Sequence, residues 1–169
     1  MLKILGAALI IISTVLIGTA HNKLKEQKIN ELEKRILFFS KLREKVGYDN
    51  CDLATAMKEA AEMSEKEFSD EIISVCDSMK ESKYKSFFDA WKSSVKPGFI
   101  ATEQDNEIIA DFMKTADNGS GAAVISAADN AICKIKERAA SEKSKAEKNK
   151  KVYFALWIYA GIFLIIVLI

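Results

Sequence analysis

The run SEKSKAEKNKKVYFALWIYAGIFLIIVLI, Ser141 to Ile169, changes character once, at Val152. Up to Lys151 it is polar and rich in lysine. From Val152 to Ile169 its 18 residues hold no charge, no proline and one glycine, Gly161. At 1.5 Å per residue an 18-residue helix is about 27 Å long, close to the hydrocarbon thickness of a bilayer. A helix packed at the surface of a globular core keeps a polar face, and this one has none. Tyr153, Trp157 and Tyr159 gather at the charged end, where amphipathic rings suit a headgroup layer, and Lys148, Lys150 and Lys151 stand just outside. The stretch reads as a membrane span.

Its counterpart opens the chain. Ile4 to Ala20 is uncharged over 17 residues, with Lys3 before it and Lys23, Lys25 and Lys28 after it. The competing reading is a cleaved signal peptide, with Gly18-Thr19-Ala20 as the small-residue cleavage site. A single basic residue ahead of the run, its length, and the helical pattern that continues beyond it favour an uncleaved span. Basic residues cluster inside both runs: Lys23, Lys25, Lys28, Lys34 and Arg35 on one side, Lys143, Lys145, Lys148, Lys150 and Lys151 on the other. The positive-inside bias then places His21 to Lys151 in the cytoplasm and both termini across the membrane. The expected organisation is a transmembrane helix over 1–22, a cytoplasmic helical domain over 23–151 and a second transmembrane helix over 152–169. The bilayer is the first partner this implies.

Charge is divided along the chain. Residues 36–133 carry 11 basic and 18 acidic side chains, a net of −7, whereas 134–151 carry eight and three, a net of +5. Basic near the membrane and acidic away from it suits anionic lipid at one end and a basic partner at the other. Nucleic acid is a poor match for a neutral domain whose basic stretch adjoins the bilayer. Cys51, Cys76 and Cys133 are too few and too scattered for a disulfide framework or a zinc site, so reduced thiols are expected. No phosphate-binding loop or dinucleotide fingerprint occurs, and the only histidine, His21, stands at a membrane boundary. Histidine-dependent catalysis has no basis here. No catalytic, cofactor-binding or metal-binding residues are expected, and no cofactor.

One proline, Pro97, and the lack of alternating β-branched runs point to an all-α fold. Ile29, Leu32, Ile36, Phe39, Leu42 and Val46 recur at three- and four-residue steps along one helical face, with Gly47 as its expected stop. Asp52 is the expected cap of a short helix over Leu53–Met63. Ser64-Glu65-Lys66-Glu67 reads as a capping box opening a helix that buries Phe68, Ile72, Val75, Cys76 and Met79. Tyr84, Phe87, Phe88, Trp91 and Val95 form the most aromatic face, ended by Pro97-Gly98. Such aromatics at helical spacing belong to a core before they belong to an interface. Thr102 is the next cap, with Glu103 and Asp105 in the first turn and Ile108, Ile109, Phe112, Met113 and Ala116 facing inward. After the loop Asp117-Asn118-Gly119-Ser120-Gly121, nothing stops a helix from Ala122 to the end, with Val124, Ile125, Ala128, Ile132 and Ile135 toward the core. The fold class is a six-helix cytoplasmic bundle with N- and C-terminal transmembrane helices.

The opening Leu2-Lys3-Ile4-Leu5-Gly6-Ala7, the central Phe88-Asp89-Ala90-Trp91, and the lysine-rich stalk running into Ala160-Gly161-Ile162 come in an order that resembles the stage III sporulation protein AB family of endospore-forming bacteria. The resemblance covers the full length through its layout, not through one diagnostic motif. It implies a six-helix domain similar to one repeat of the platform protein of type II secretion systems, the F family. It further implies a two-pass protein of the cell membrane, its central domain in the mother-cell cytoplasm, serving as platform subunit of the channel between mother cell and forespore. The implied partners are a secretion-type ATPase, stage III sporulation protein AA, and other subunits of the assembly. An oligomer is compatible with this layout. A membrane-tethered helical adaptor or regulator that binds a soluble partner is the alternative function, and an enzyme with an unrecognised carboxylate site stands last. For the partner-binding surface the expected residues are Glu59, Glu62, Glu65 and Glu67, around the turn between two short helices.

Overall fold

The computed structural model describes the backbone of residues 2–48, 51–95, 102–117 and 120–168, and side chains at 23–48, 51–95, 102–117, 120–148, 156 and 159. Among these residues there are six helices and no strand: α1 (Leu2–Tyr48), α2 (Leu53–Ala61), α3 (Lys66–Lys80), α4 (Phe87–Ser94), α5 (Glu103–Ala116) and α6 (Gly121–Leu168). The all-helical expectation holds. The breaks expected at Pro97-Gly98 and Asn118-Gly119, the side chain of His21, and nearly all side chains of the two apolar stretches lie outside the described residues. Among the described residues no helix is long and apolar enough to cross a membrane. The chain divides into two compact units, one formed by Asn30–Ala139 and one by Met1–Ile29 with Ala140–Ile169.

In the Asn30–Ala139 unit, α1 buries Leu32, Phe38, Phe39 and Leu42, while the expected Ile36 and Val46 are half-buried. The inner stripe is wider than a three- and four-residue pattern suggests because α1 has neighbours on two sides. Consecutive helical residues point about 100° apart. Phe38 therefore meets Phe68 of α3 at 5.2 Å between ring centroids, and Phe39 meets Phe112 of α5 at 5.1 Å, both edge-to-face. Phe68 continues the chain of rings to Trp91 of α4 at 6.2 Å. Trp91 is 2 % exposed, so its place is in the core, as the spacing suggested. Large-to-small changes at such positions cost about 3–5 kcal/mol.

Several helix ends differ from expectation. Gly47 does not stop α1, which runs on to Tyr48, and no described glycine has positive φ. A Cβ at Gly47 would stand 3.5 Å from Ile125 Cδ1, ordinary contact, so glycine is not sterically required there. Asp52 does occupy the N-cap of α2, but only its carbonyl takes part, accepting from Ala56 N at 2.9 Å. α2 ends at Ala61, and Met63 and Ser64 tighten into a turn by donating to the carbonyls of Ala60 and Ala61. That turn removes the capping box expected at Ser64–Glu67. Ser64 is held in that turn, its hydroxyl is buried without a partner, and Glu65 becomes the N-cap of α3 with no side-chain cap bond. α5 keeps its expected cap and adds to it. Thr102 Oγ1 accepts from Asp105 N while Asp105 Oδ2 accepts from Thr102 N, a reciprocal box.

The start of α4 is held from another helix. Its first orphan N–H groups, those of Phe87 and Phe88, donate to the two carboxylate oxygens of Asp117 at the end of α5, and Asp89 N donates to Ser86 Oγ at 3.0 Å. A helix of eight residues forms poorly alone, so these tertiary bonds to its positive end matter. In the second unit, Glu142 of α6 meets Lys28 of α1 at 3.9 Å and Lys145 at 3.2 Å.

Candidate docking surface

The four glutamates singled out from the sequence do gather at the α2–α3 turn, but they are not equivalent. Glu59 accepts from Lys45 of α1 at 2.6 Å. Glu65 accepts from Lys34 at 2.6 Å and from Asn30 at 3.3 Å, also on α1. These two carboxylates fasten the α2–α3 corner to α1, and their charge is answered within the molecule. Glu62 and Glu67 are exposed and make no ion pair among the described residues. Between them stands Met63, 51 % exposed, which the sequence pattern had assigned to a helix. The turn thus offers an apolar side chain flanked by two free carboxylates. Its own position within a tightened turn, readable only from the backbone, is what turns Met63 outward.

Behind this corner lies a charged residue that the helical pattern did not reveal. Arg35 is 4 % exposed, its Nη2 donates to Glu31 at 2.6 Å, and its guanidinium carbon sits 4.9 Å from the Phe68 ring centroid. Nε and Nη1 have no partner. The cation lies over the ring face, where the quadrupole is negative, which offsets part of its desolvation.

A second surface feature runs between α5 and α6, a groove of about 370 Å³. Ile108 and Phe112 of α5 and Ala123, Ala127 and Ala131 of α6 supply its apolar lining. The alanines repeat every fourth residue, and Ser126, Asn130 and Lys134 make a polar row beside them on α6. Asp111 and Lys134 line it too and bond each other at 3.0 Å. Further along the same pair of helices, Arg138 donates to Asp105 at 3.2 Å and to Thr102 Oγ1 at 3.2 Å, joining α6 to the cap of α5. Burial pushes the Asp105 carboxyl up, but the hydrogen bonds from Thr102 and Arg138 outweigh it and hold it below its ordinary value of 3.8.

Among the described residues no three His, Cys, Asp or Glu side chains form a group able to hold a metal ion. The cysteines are free thiols: Cys133 is exposed, Cys51 half-buried and Cys76 buried. Burial pushes the Cys76 thiol up to about 11. No curated protein and no solved structure matches the chain. The family model of stage III sporulation protein AB matches residues 3–169, taking in both apolar stretches and the helical bundle between them. The chain belongs to the stage III sporulation protein AB family.

Proposed function

We propose that this sporulation protein is a membrane-anchored platform subunit of a secretion-like complex between mother cell and forespore, coupling a cytoplasmic ATPase to the membrane assembly. The observation that carries the reading is the extent of the family match, which includes the helical middle and both apolar ends. A platform has to be held at the bilayer by one part and meet a motor with another. The division of charge supports that arrangement, with a net of −7 over 36–133 and +5 over 134–151. The ATPase docks on the acidic middle, and the α2–α3 turn is one of its contacts.

Glu59, Glu62, Glu65 and Glu67 all border that turn, but reversing Glu59 or Glu65 would also break the ties to Lys45 and Lys34. The test therefore uses Glu62→Lys and Glu67→Lys together. Exposed charge pairs contribute about 0–1 kcal/mol each, so the double reversal should weaken ATPase recruitment by up to about thirtyfold. Recruitment by wild type should also fall as salt rises, because exposed charges are screened beyond about 8 Å at physiological ionic strength. The measurement is co-purification of the ATPase with the full chain in detergent, with helicity followed in parallel. Equal recruitment by the double variant at low and high salt removes this turn from the interface. No recruitment by wild type under any condition removes the coupling role.

A further inference from the structure

We infer that the α5–α6 groove seats an amphipathic helix with a basic edge, presented by the partner that docks on the acidic middle of the chain. This rests on the docking role proposed above and names its seat. The lining residues on α6 run from Ala123 to Lys134, three turns, or about 16 Å at 1.5 Å per residue. A bound helix places anchors at i, i+4 and i+7 within about 10.5 Å, so the groove is long enough to take them. The small, half-buried side chains at Ala123 and Ala127 let the backbone of an incoming helix come close, over a floor formed by the buried Ile108 and Phe112.

Charge selects the other edge of the occupant. On α5, Glu103, Glu107 and Asp111 follow at four-residue steps, all exposed, with Lys114 as the one base beyond them. Lys134 answers Asp111, whereas Glu103 and Glu107 have no ion pair among the described residues. A helix with Lys or Arg at every fourth position places cations along that row while its small apolar face enters the groove. A small-molecule ligand suits the site less well. Of its polar lining, Asp111 and Lys134 hold each other and Thr115 Oγ1 donates to the Asp111 carbonyl at 3.0 Å, which leaves Ser126 and Asn130 on α6 to meet a ligand.

The experiment holds the full chain in phosphatidylcholine nanodiscs and titrates a fluorescein-labelled model helix of about 15 residues, with Leu and Ala on one face and Lys at every fourth position. A Glu-edged version and a scrambled version of the same length serve as comparisons. Binding of the Lys-edged helix should weaken by about tenfold or more in Ala127→Leu, which fills the groove, and in Glu107→Lys, which reverses its edge. Ala122→Leu, on an exposed position of α6 outside the lining, should bind as wild type does. The inference is overturned by the absence of binding, by equal binding of the scrambled helix, by tighter binding of the Glu-edged helix, or by insensitivity to both groove variants. It is also overturned if wild type self-associates and Ala127→Leu does not, because the occupant is then a second copy. No ATPase is present in this assay. Loss of the groove with intact ATPase recruitment leaves the platform role standing, and the opposite result leaves the groove.

Discussion

Ser82 is the described non-glycine residue with positive φ, at 55°. It follows α3, where Lys83 N donates to the Ser78 carbonyl at 3.0 Å and Ser82 N to that of Met79 at 3.1 Å. These are the two bonds of a Schellman stop, which calls for a left-handed residue between helix and exit. A side chain in that conformation is disfavoured by roughly 1–2 kcal/mol, and glycine relieves it while losing more freedom on folding. Ser82→Gly should therefore stabilise the domain by about 0.5–1 kcal/mol, seen as a higher denaturation midpoint with unchanged slope. An unchanged or lower midpoint would show that the serine conformation carries no strain. No sequence rule pointed to this stop, because serine is not a residue that announces a left-handed turn. Arg35 escaped for a related reason. Its place on the helix is buried, and a periodicity built on apolar residues passes over a cation whose burial depends on Glu31 and the face of Phe68.

Among the helices, ends set by local signals were legible, and ends set by distant residues were not. Thr102 followed by Glu103 and Asp105 announces α5, because a hydroxyl before acidic first-turn residues is a local signal with a local cause. What stayed hidden was the reach of that cap into α6 through Arg138, a residue 33 positions after Asp105. The same distance effect explains α4, whose first amide groups are met by Asp117 rather than by its own flanking residues alone. It also explains the failed box at Ser64, where the backbone of α2 claims the serine and Lys34 claims Glu65. The α5 cap carries a pH dependence whose sign follows from Asp105. Its carboxyl is held below 3.8 in the folded state, so its contribution is fully present above the unfolded value and is lost as pH falls through the lower, folded one. Asp105→Asn should cost about 1.5–3 kcal/mol at neutral pH, the range for hydrogen bonds to a charged group. The gap between wild type and variant should close as pH drops below about 4. Denaturation of the full chain in detergent from neutral to acid pH reads this directly, and a gap that does not change with pH would show that the ionised carboxylate is not the stabilising form.

For the molecule as a whole, apolar periodicity and capping residues made the six helices legible, while the interlocking of α1 with α3 and α5 through Phe38 and Phe39 was not. The proposed membrane arrangement rests on charge: basic residues crowd the inner ends of both apolar stretches. An excess of Lys and Arg is retained on the cytoplasmic side, so the bundle should be cytoplasmic and both ends should face away from it. A thiol-labelling experiment can decide this, and the structure determines which thiol to use. Cys76 is fully buried and its thiol is pushed up to about 11, so its silence toward a maleimide would say nothing about sidedness. Cys133 is exposed, on α6, which makes it the native reporter. With Cys51→Ser removing the half-buried alternative, Cys133 should resist a membrane-impermeant maleimide in intact protoplasts and react once the membrane is opened. A Cys133→Ser control should abolish the signal after permeabilisation, which assigns it to this site. Labelling of Cys133 in intact protoplasts would place the bundle outside, reverse the orientation read from the lysines, and put the acidic surface beyond the reach of any cytoplasmic ATPase.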